Sequence, residues 1–290
     1  LHALAMARAL AEHYGLNTWL LVDLADAYGH VPHARLRPLL ARLIPNERLV
    51  DLIMEMMSPY RRVDGITGPR PKGIPQGSPL SPAIFNAFLN HYLDGPWHRR
   101  FPQWPLIRYA DDILILTKTR REVKAAHREL RRLLVSAGFQ IRDPKTRIVN
   151  IDAKSVKWLG HTITRRNGRF MVGIPDDHWQ SLEDKLRNRK ATTTQGTLSQ
   201  DVSAFIAYHA PAWRPRDTNN PAILRLEALL MATGGFLLLN FEDGRRSMGI
   251  KGHPLFQKAW KRWTRIMSNT QLPMIGASLS TMAGKGRSIP

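Results

Sequence analysis

The sequence lacks cysteine and long apolar runs. With no cysteine among 290 residues, disulfide bonds and thiolate metal sites are excluded, which suits a reducing cytosol. The most apolar stretch, from Ala222, is interrupted by Arg225, Glu227 and two glycines, so we expect no membrane span. We expect no signal peptide either, because the first residues mix charge and histidine into a helical pattern. Because the first residue is Leu rather than Met, we expect a segment of a longer chain.

Acidic residues are scarce as well. The chain has 23 Asp and Glu against 43 Lys and Arg, a formal charge of +20, and Asp243 is its last acid. An excess of this size costs self-repulsion unless a polyanion neutralises it, and nucleic acid is the commonest such partner. The alternative, a solvated basic surface, ranks second because the asymmetry is regional.

Apolar periodicity predicts a mixed α and β protein. An apolar content of 43% is sufficient for a core. Helical spacing predicts helices over residues 2–14, over His33–Met57 with a break at Pro45 and Asn46, after Pro82, over 120–137 and from Asp176 onward. Short apolar runs predict strands at Thr18–Leu24, on both sides of Asp111 and Asp112, at 138–141 and at 155–163, with a loop and hairpin over 58–82.

Three carboxylates stand in unusual places. Asp23 ends a predicted buried strand, and Asp111 with Asp112 follows "LIRYA" and precedes "ILIL". If the strand ends meet on one sheet, three like charges share one place, and each pair at ~4 Å repels by ~4 kcal/mol at an effective dielectric constant near 20. An Asp pair most often caps a solvated turn, but the two apolar flanks here disfavour that interpretation.

Such a cluster requires cations. Oxygen ligands without thiols select Mg²⁺ or Mn²⁺, and two such ions together are the usual apparatus of phosphoryl displacement. The acids and the basic charge together indicate a polymerase or a nuclease.

Five ordered motifs resemble those of the reverse transcriptases. They are "VDLADAYGHVPH" (Val22–His33), "GIPQGSPLSP" (Gly73–Pro82), "YADD" (Tyr109–Asp112), "AGFQIRDPKT" with Lys145, and "VKWLGHTI" (Val156–Ile163). The resemblance covers residues 20–165, and beyond residue 175 it becomes diffuse.

The resemblance implies a catalytic set. Asp23, Asp111 and Asp112 would hold two Mg²⁺ ions, or Mn²⁺, with the backbone carbonyl of Leu24 as an additional ligand. Lys145 would protonate the leaving pyrophosphate as a general acid.

The resemblance also implies substrate contacts. Backbone amides at Asp26 and Ala27 would meet the triphosphate of the incoming nucleotide. Tyr28 would exclude a 2′-hydroxyl, which makes deoxynucleotides the expected substrate. Gln76 and Gly77 would line the nucleotide pocket, and the primer and template would contact Tyr109 and the Trp158, Leu159 and Gly160 turn. Taken alone, Tyr28 and Trp158 would be core aromatics and Lys145 a surface lysine.

The fold implied is α+β, a right-hand polymerase palm whose antiparallel sheet is backed by helices, with partial fingers and a helical thumb. The predicted domains are the palm at 1–175, with fingers at about 30–75, and the thumb with a basic C-terminal segment at 176–290. Only 22 residues precede Asp23, whereas the family usually carries more of the fingers upstream.

The implied activity is RNA-directed DNA polymerisation from dNTPs, with an RNA template, a DNA or RNA primer and a structured cognate RNA as partners. A cytoplasmic bacterial protein is expected, either group II intron-like or associated with antiviral defence. Two alternatives stay open. One is an RNA-binding, maturase-like scaffold without polymerisation, which the three retained acids disfavour. The other is RNA-to-RNA copying, which Tyr28 opposes.

Overall fold

The computed structural model describes most of the chain: residues 1–58, 60–63, 66–69, 71–141, 143–188, 195–213, 220–233 and 253–273. The C-terminal end of the predicted basic segment, residues 274–290, lies outside these described residues. The α-helices are α1 His2–Tyr14, α2 His33–Leu43, α3 Glu47–Met57, α4 Ser81–Leu89, α5 Gly95–Arg100, α6 Arg120–Ala137, α7 Asp176–Arg187, α8 Gln195–Tyr208, α9 Pro221–Ala232 and α10 Pro254–Ser268. The strands are β1 Thr18–Asp23, β2 Tyr60–Val63, β3 Ile66–Pro69, β4 Leu106–Tyr109, β5 Asp112–Thr117, β6 Arg147–Asn150, β7 Val156–Trp158, β8 His161–Arg166 and β9 Arg169–Gly173.

The chain forms two compact units. Unit 1 comprises Leu1–Gly15 and Val149–Leu272, and the described part of unit 2 is Leu16–Ile148 with Pro273. These limits differ from the boundary predicted at residue 175, because β9 packs with α1 and with the helical turn Ala210–Ala212 inside unit 1. The division into palm, fingers and thumb stays a prediction.

Unit 2 contains β4, β5, β1 and the first two residues of β6, which form a four-stranded sheet with the order β4-β5-β1-β6. β1 and β5 are antiparallel, from the pair Thr18 and Thr117 to the pair Asp23 and Asp112. Five of the six residues of β1 are buried, and the β-branched and leucine side chains of both strands suit a sheet covered on two faces.

One face of this sheet is covered by helices. Leu20 and Val22 of β1 and Ile113 and Ile115 of β5 share a buried cluster with apolar residues of α4 and α6. Since side chains alternate between the faces of a strand, Trp19 and Leu21 of β1 belong to the opposite face. Asp23 continues this second row.

Local signals explain where the helices of unit 2 begin and end. The side chain of Asn46 accepts a hydrogen bond from the amide of Leu49 and caps α3. Thr119 and Glu122 form a reciprocal capping box at the start of α6. Gly138 ends α6 at φ 95°, in the left-handed region that glycine tolerates. This termination leaves the strand predicted at 138–141 as a single bridge between Ile141 and Leu24.

Unit 1 combines the sheet β7-β8-β9 with helices. α1 packs with β9 and α10, and the carboxylate of Glu12 accepts a hydrogen bond from the amide of Phe170 at 3.1 Å. Trp213 lies edge-on to Phe256 of α10, with ring centroids 5.2 Å apart. This buried aromatic pair therefore links α10 to the segment that follows α8.

Candidate active site

The three predicted acids meet at one edge of the sheet of unit 2. Strand register places Asp23 directly opposite Asp112, and Asp112 also pairs with Tyr109 across the hairpin. Asp111 lies in the two-residue turn with Ala110, which adopts φ 53°. Directly paired residues of an antiparallel ladder lie on the same face, so Asp23 and Asp112 share the face away from α4 and α6.

The charges of this cluster act on one another. Partial burial raises the pKa of the Asp112 carboxyl above its usual range, and the negative charges of Asp111 and Asp23 raise it further, whereas Lys145 opposes them. The Nζ atom of Lys145 lies 2.6 Å from Oδ2 of Asp23. Lys145 therefore offsets part of the negative charge of this cluster.

The donor set fits a hard divalent cation in its chemistry. It offers carboxylate oxygens from adjacent strands, without sulfur, and oxygen ligation is what Mg²⁺ prefers. In the part of the chain that the structure describes, however, no three Asp, Glu or His side chains converge closely enough to hold one ion together. The Asp23 carboxylate is paired with Lys145 instead. A cation that binds Oδ2 of Asp23 would have to replace Lys145 at that atom.

The segment after β1 adjoins the Pro-Gln-Gly loop. Asp26 has φ 41°, Ala27 is buried, and the ring of Tyr28 stacks on Phe85 at 4.6 Å between centroids. The carbonyl of Tyr28 accepts a hydrogen bond from the amide of Ile74 at 2.8 Å. A backbone hydrogen bond thus connects the two segments that carry the predicted nucleotide contacts.

The Pro-Gln-Gly loop itself is open to solvent. Gln76 and Gly77 are exposed, and Gly77 has φ 90° with open space around its Cα. The hydroxyl of Ser81 donates to the carbonyl of Pro75 at 2.6 Å, which fixes the loop to the start of α4. Tyr109, on the other strand of the acidic hairpin, is 63% exposed.

The predicted primer-contacting turn belongs to unit 1. Leu159 and Gly160 connect β7 to β8 with φ of 45° and 69°. The carbonyl of Leu159 lies 2.8 Å from Nδ1 of His161 and accepts a hydrogen bond from the hydroxyl of Tyr208 at 3.2 Å. Trp158 is buried, as a core aromatic would be, so its contact with nucleic acid stays a prediction.

Sequence reasoning missed the residues that support the acidic hairpin. Arg108 pairs with Asp94 at 2.6 Å, and their side chains are only 9% and 15% exposed. The same guanidinium donates to the carbonyl of Ala110 and to the side chain of Asn86, both at 2.9 Å. The signal was an arginine inside the apolar run "LIRYA", where an uncompensated charge is costly.

A histidine cluster in unit 1 was also missed. His161, His178 and His209 lie on β8, on α7 and just after α8, and Nδ1 of His178 is 3.1 Å from Nε2 of His209. Burial, with smaller contributions from the two other histidines, lowers the pKa of His209 to about 3. No local sequence pattern links these three residues, so their proximity could not be predicted from the sequence.

The chain is similar in structure to telomerase from Candida albicans, solved in a complex with a TWJ fragment of telomeric RNA: the TM-score is 0.58, the identity 12%, and the match covers 97% of this chain and 51% of that one. Together with the antiparallel sheets and helices, this likeness confirms the predicted α+β fold of the right-hand polymerase palm.

The family follows from the sequence match. The model of the family described as "Reverse transcriptase (RNA-dependent DNA polymerase)" matches residues 2–163. The chain belongs to this family, as the five motifs predicted.

Two relatives illustrate the range of the match. Protein YkfC of Escherichia coli strain K12 is 27% identical over 209 residues, covering 59% of this chain and 53% of YkfC. The Pol polyprotein of equine infectious anemia virus, isolate 1369, is 28% identical over 149 residues, covering 51% of this chain and 11% of the polyprotein. The chain thus spans about half the length of YkfC and a small part of Pol.

None of the described helices is long and apolar enough to cross a bilayer.

Proposed function

We propose that this chain carries the polymerase site of an RNA-directed DNA polymerase that adds dNTPs to a primer 3′ end. The observation that carries the proposal is the register of β1 and β5, which sets Asp23 opposite Asp112 and beside the Asp111 turn. Membership of the reverse transcriptase family supports the same reaction.

In this proposal Asp23, Asp111 and Asp112 hold two Mg²⁺ ions, with the carbonyl of Leu24 as a further ligand and Mn²⁺ as a substitute. When bound, the ions would activate the primer 3′-oxygen and stabilise the leaving pyrophosphate. The pKa of Asp112, raised by partial burial and further by the charges of Asp111 and Asp23, supports this assignment, because a bound cation offsets both effects.

Lys145 has two roles in the proposal. In the absence of cations its ammonium neutralises Asp23 at 2.6 Å. With cations bound at that carboxylate, Lys145 would be free to donate a proton to the leaving pyrophosphate as a general acid.

The remaining residues orient the substrates. The amides of Asp26 and Ala27 bind the triphosphate, Tyr28 lies beneath the deoxyribose, and Gln76 and Gly77 complete the nucleotide pocket. Tyr109 and the Trp158, Leu159 and Gly160 turn hold template and primer. The hydrogen bond between the Ile74 amide and the Tyr28 carbonyl, which connects the two segments, supports the assignment of this nucleotide pocket.

The biological setting is proposed more broadly. We infer a cytoplasmic bacterial enzyme, group II intron-like or defence-associated, that works with a structured RNA. The similarity to YkfC of Escherichia coli supports a bacterial source, and the formal charge of +20 supports an RNA partner.

The test is incorporation of labelled dNTP on an RNA template annealed to a DNA primer. We expect synthesis that needs Mg²⁺ and that falls by about two orders of magnitude or more in Asp111→Asn, since the cation site supplies several kcal/mol of transition-state stabilisation. Asp184→Asn, an exposed acid of α7, is the matched control and should retain activity.

The scaffold alternative makes a different prediction. If the wild type binds RNA as tightly as Asp111→Asn and neither incorporates nucleotide, the chain is an RNA-binding protein with a polymerase fold, and the proposed reaction is wrong.

A further inference from the structure

Helix α6 presents a dense row of cations to solvent. Arg120, Arg121, Lys124, Arg128, Arg131 and Arg132 are all exposed. At 100° per residue they fall within an arc of about 120° on the helix. This set of six residues is called the α6 basic face below.

The opposite side of α6 is buried in the core of unit 2. Its buried residues are Val123, Ala126, Leu130, Leu133, Leu134 and Ala137. Because these residues pack against the sheet and α4, the orientation of the helix is fixed, and the basic side chains point outward as a preformed row.

The two acids of α6 lie beside the basic face rather than within it. Glu122 is occupied by the capping box, where its carboxylate accepts from the amides of Lys118 and Thr119. Glu129 pairs with Arg132 at 2.7 Å. Both glutamates lie to one side of the basic arc, at about 80–100° when Arg121 is taken as zero. Arg121, Lys124 and Arg128 form no ion pair with any other described residue.

The α6 basic face lies behind the sheet, away from the acids. Helix α6 covers the side of β1 and β5 that carries Leu20, Val22 and Ile113, whereas Asp23 and Asp112 share the other side. A nucleic acid on the α6 basic face therefore occupies a different surface from a primer end at the acidic hairpin.

We propose that the α6 basic face is a second nucleic-acid contact, which binds the phosphate backbone of a double-helical segment outside the copied stretch. Arg121 to Arg128 spans seven residues, about 10 Å of helix axis. A nucleic-acid strand carries one phosphate per roughly 3.4 Å of duplex axis, so this part of the row faces about three phosphates. The three cations at positions 121, 124 and 128 match that number. The inference extends the proposed function but does not depend on catalysis.

The test is binding of a fluorescent 20-base-pair RNA hairpin and of a DNA duplex of the same length, without dNTPs or Mg²⁺, over a range of salt. The variant is Arg121→Gln, Lys124→Gln and Arg128→Gln together. The matched control, Arg42→Gln, Arg48→Gln and Lys154→Gln, removes the same charge from dispersed exposed positions. A charge-retaining variant, Arg121→Lys with Arg128→Lys, checks that the row acts through charge. Circular dichroism and thermal midpoints verify that all variants fold.

We expect the α6 variant to lose about tenfold or more in affinity near physiological salt, and its slope of log K against log salt to flatten by about two to three, since each lost phosphate contact removes ~0.9 from that slope. The control and the lysine variant should stay near the wild type. If the α6 variant loses affinity for both nucleic acids, the α6 basic face binds the phosphate backbone of RNA and DNA alike. If it loses affinity for the RNA hairpin alone, the ligand is RNA.

Equal behaviour of the α6 variant and its control overturns the proposal. So does reduced binding of an acidic polypeptide, such as polyglutamate, with nucleic-acid binding unchanged. Extension of a short primer on a short template should be unaffected in the α6 variant. If the wild type extends no primer at all, the proposed polymerase reaction fails, while the binding result still decides the role of the α6 basic face.

Discussion

At the residue scale, Tyr28 links the core to the predicted nucleotide pocket. Its ring stacks on Phe85 with an interplanar angle of 22°, and its side chain packs against the apolar cluster of unit 2. The ring is thereby held in one orientation, which is what a steric filter for the 2′-hydroxyl requires.

We expect Tyr28→Ala to relax sugar selection, raising the use of ribonucleotides relative to deoxynucleotides by about tenfold or more, in the range that a single steric contact supplies. Competitive incorporation of labelled rNTP and dNTP measures the ratio. Tyr28→Phe keeps the ring and should keep the wild-type ratio. An unchanged ratio in Tyr28→Ala would remove the assignment of Tyr28 as the filter and reopen RNA synthesis as the reaction.

At the scale of elements, the acidic hairpin depends on a partly hidden ion pair. Arg108 on β4 reaches Asp94, which lies in the π-helical turn Asn90–Asp94 after α4, and it also binds the carbonyl of Ala110. The pair therefore connects the turn that carries Asp111 to the helical layer.

We expect Arg108→Met to lower the free energy of unfolding by about 3 kcal/mol, because it leaves a nearly buried carboxylate without its partner. The double variant Arg108→Met with Asp94→Leu should be less destabilised than either single variant. Urea denaturation measures all three.

Arg37→Met, which breaks an exposed pair with Asp51, is the matched control for this experiment and should barely change stability, since exposed pairs contribute little. A similar loss in Arg37→Met and Arg108→Met would mean that burial does not set the strength of the Arg108 pair.

At the scale of the whole molecule, the histidine cluster makes stability depend on pH. The pKa of His209 is about 3 in the folded protein, and about 6.5 is the usual value for an unfolded chain. Between these values the unfolded state binds a proton that the folded state does not bind. The contribution of His209 to stability is therefore fully present above pH ~6.5, and we expect it to be lost as the pH decreases toward 3, by at most ~1.4 kcal/mol per pH unit.

Replacing His209 with Leu should flatten this part of the stability profile, as measured by thermal or urea unfolding between pH 4 and pH 7. His98→Gln, at an exposed histidine of α5, serves as the control and should leave the profile unchanged. If the profile of His209→Leu follows the wild type, the acid sensitivity originates elsewhere.

Much of this architecture was readable from short-range signals. The helix over 120–137 was predicted at its observed limits, because its apolar period is set by neighbouring residues. The break at Asn46 was visible for the same reason. The strand at 138–141 was predicted wrongly, because Gly138 adopts a left-handed conformation to end α6 and leaves too few residues for a ladder.

The sequence by itself determined the order of the elements, the family, and the identity of the acids, since motif spacing and apolar periodicity are properties of neighbouring residues. Only the tertiary structure decided that Asp23 faces Asp112, that Lys145 pairs with Asp23, that Arg108 supports the hairpin through Asp94, and that three distant histidines meet. Strand register and packing between elements join Asp23 to Lys145 across 122 positions, and no local pattern encodes which of many compatible partners will be adjacent once the core has formed.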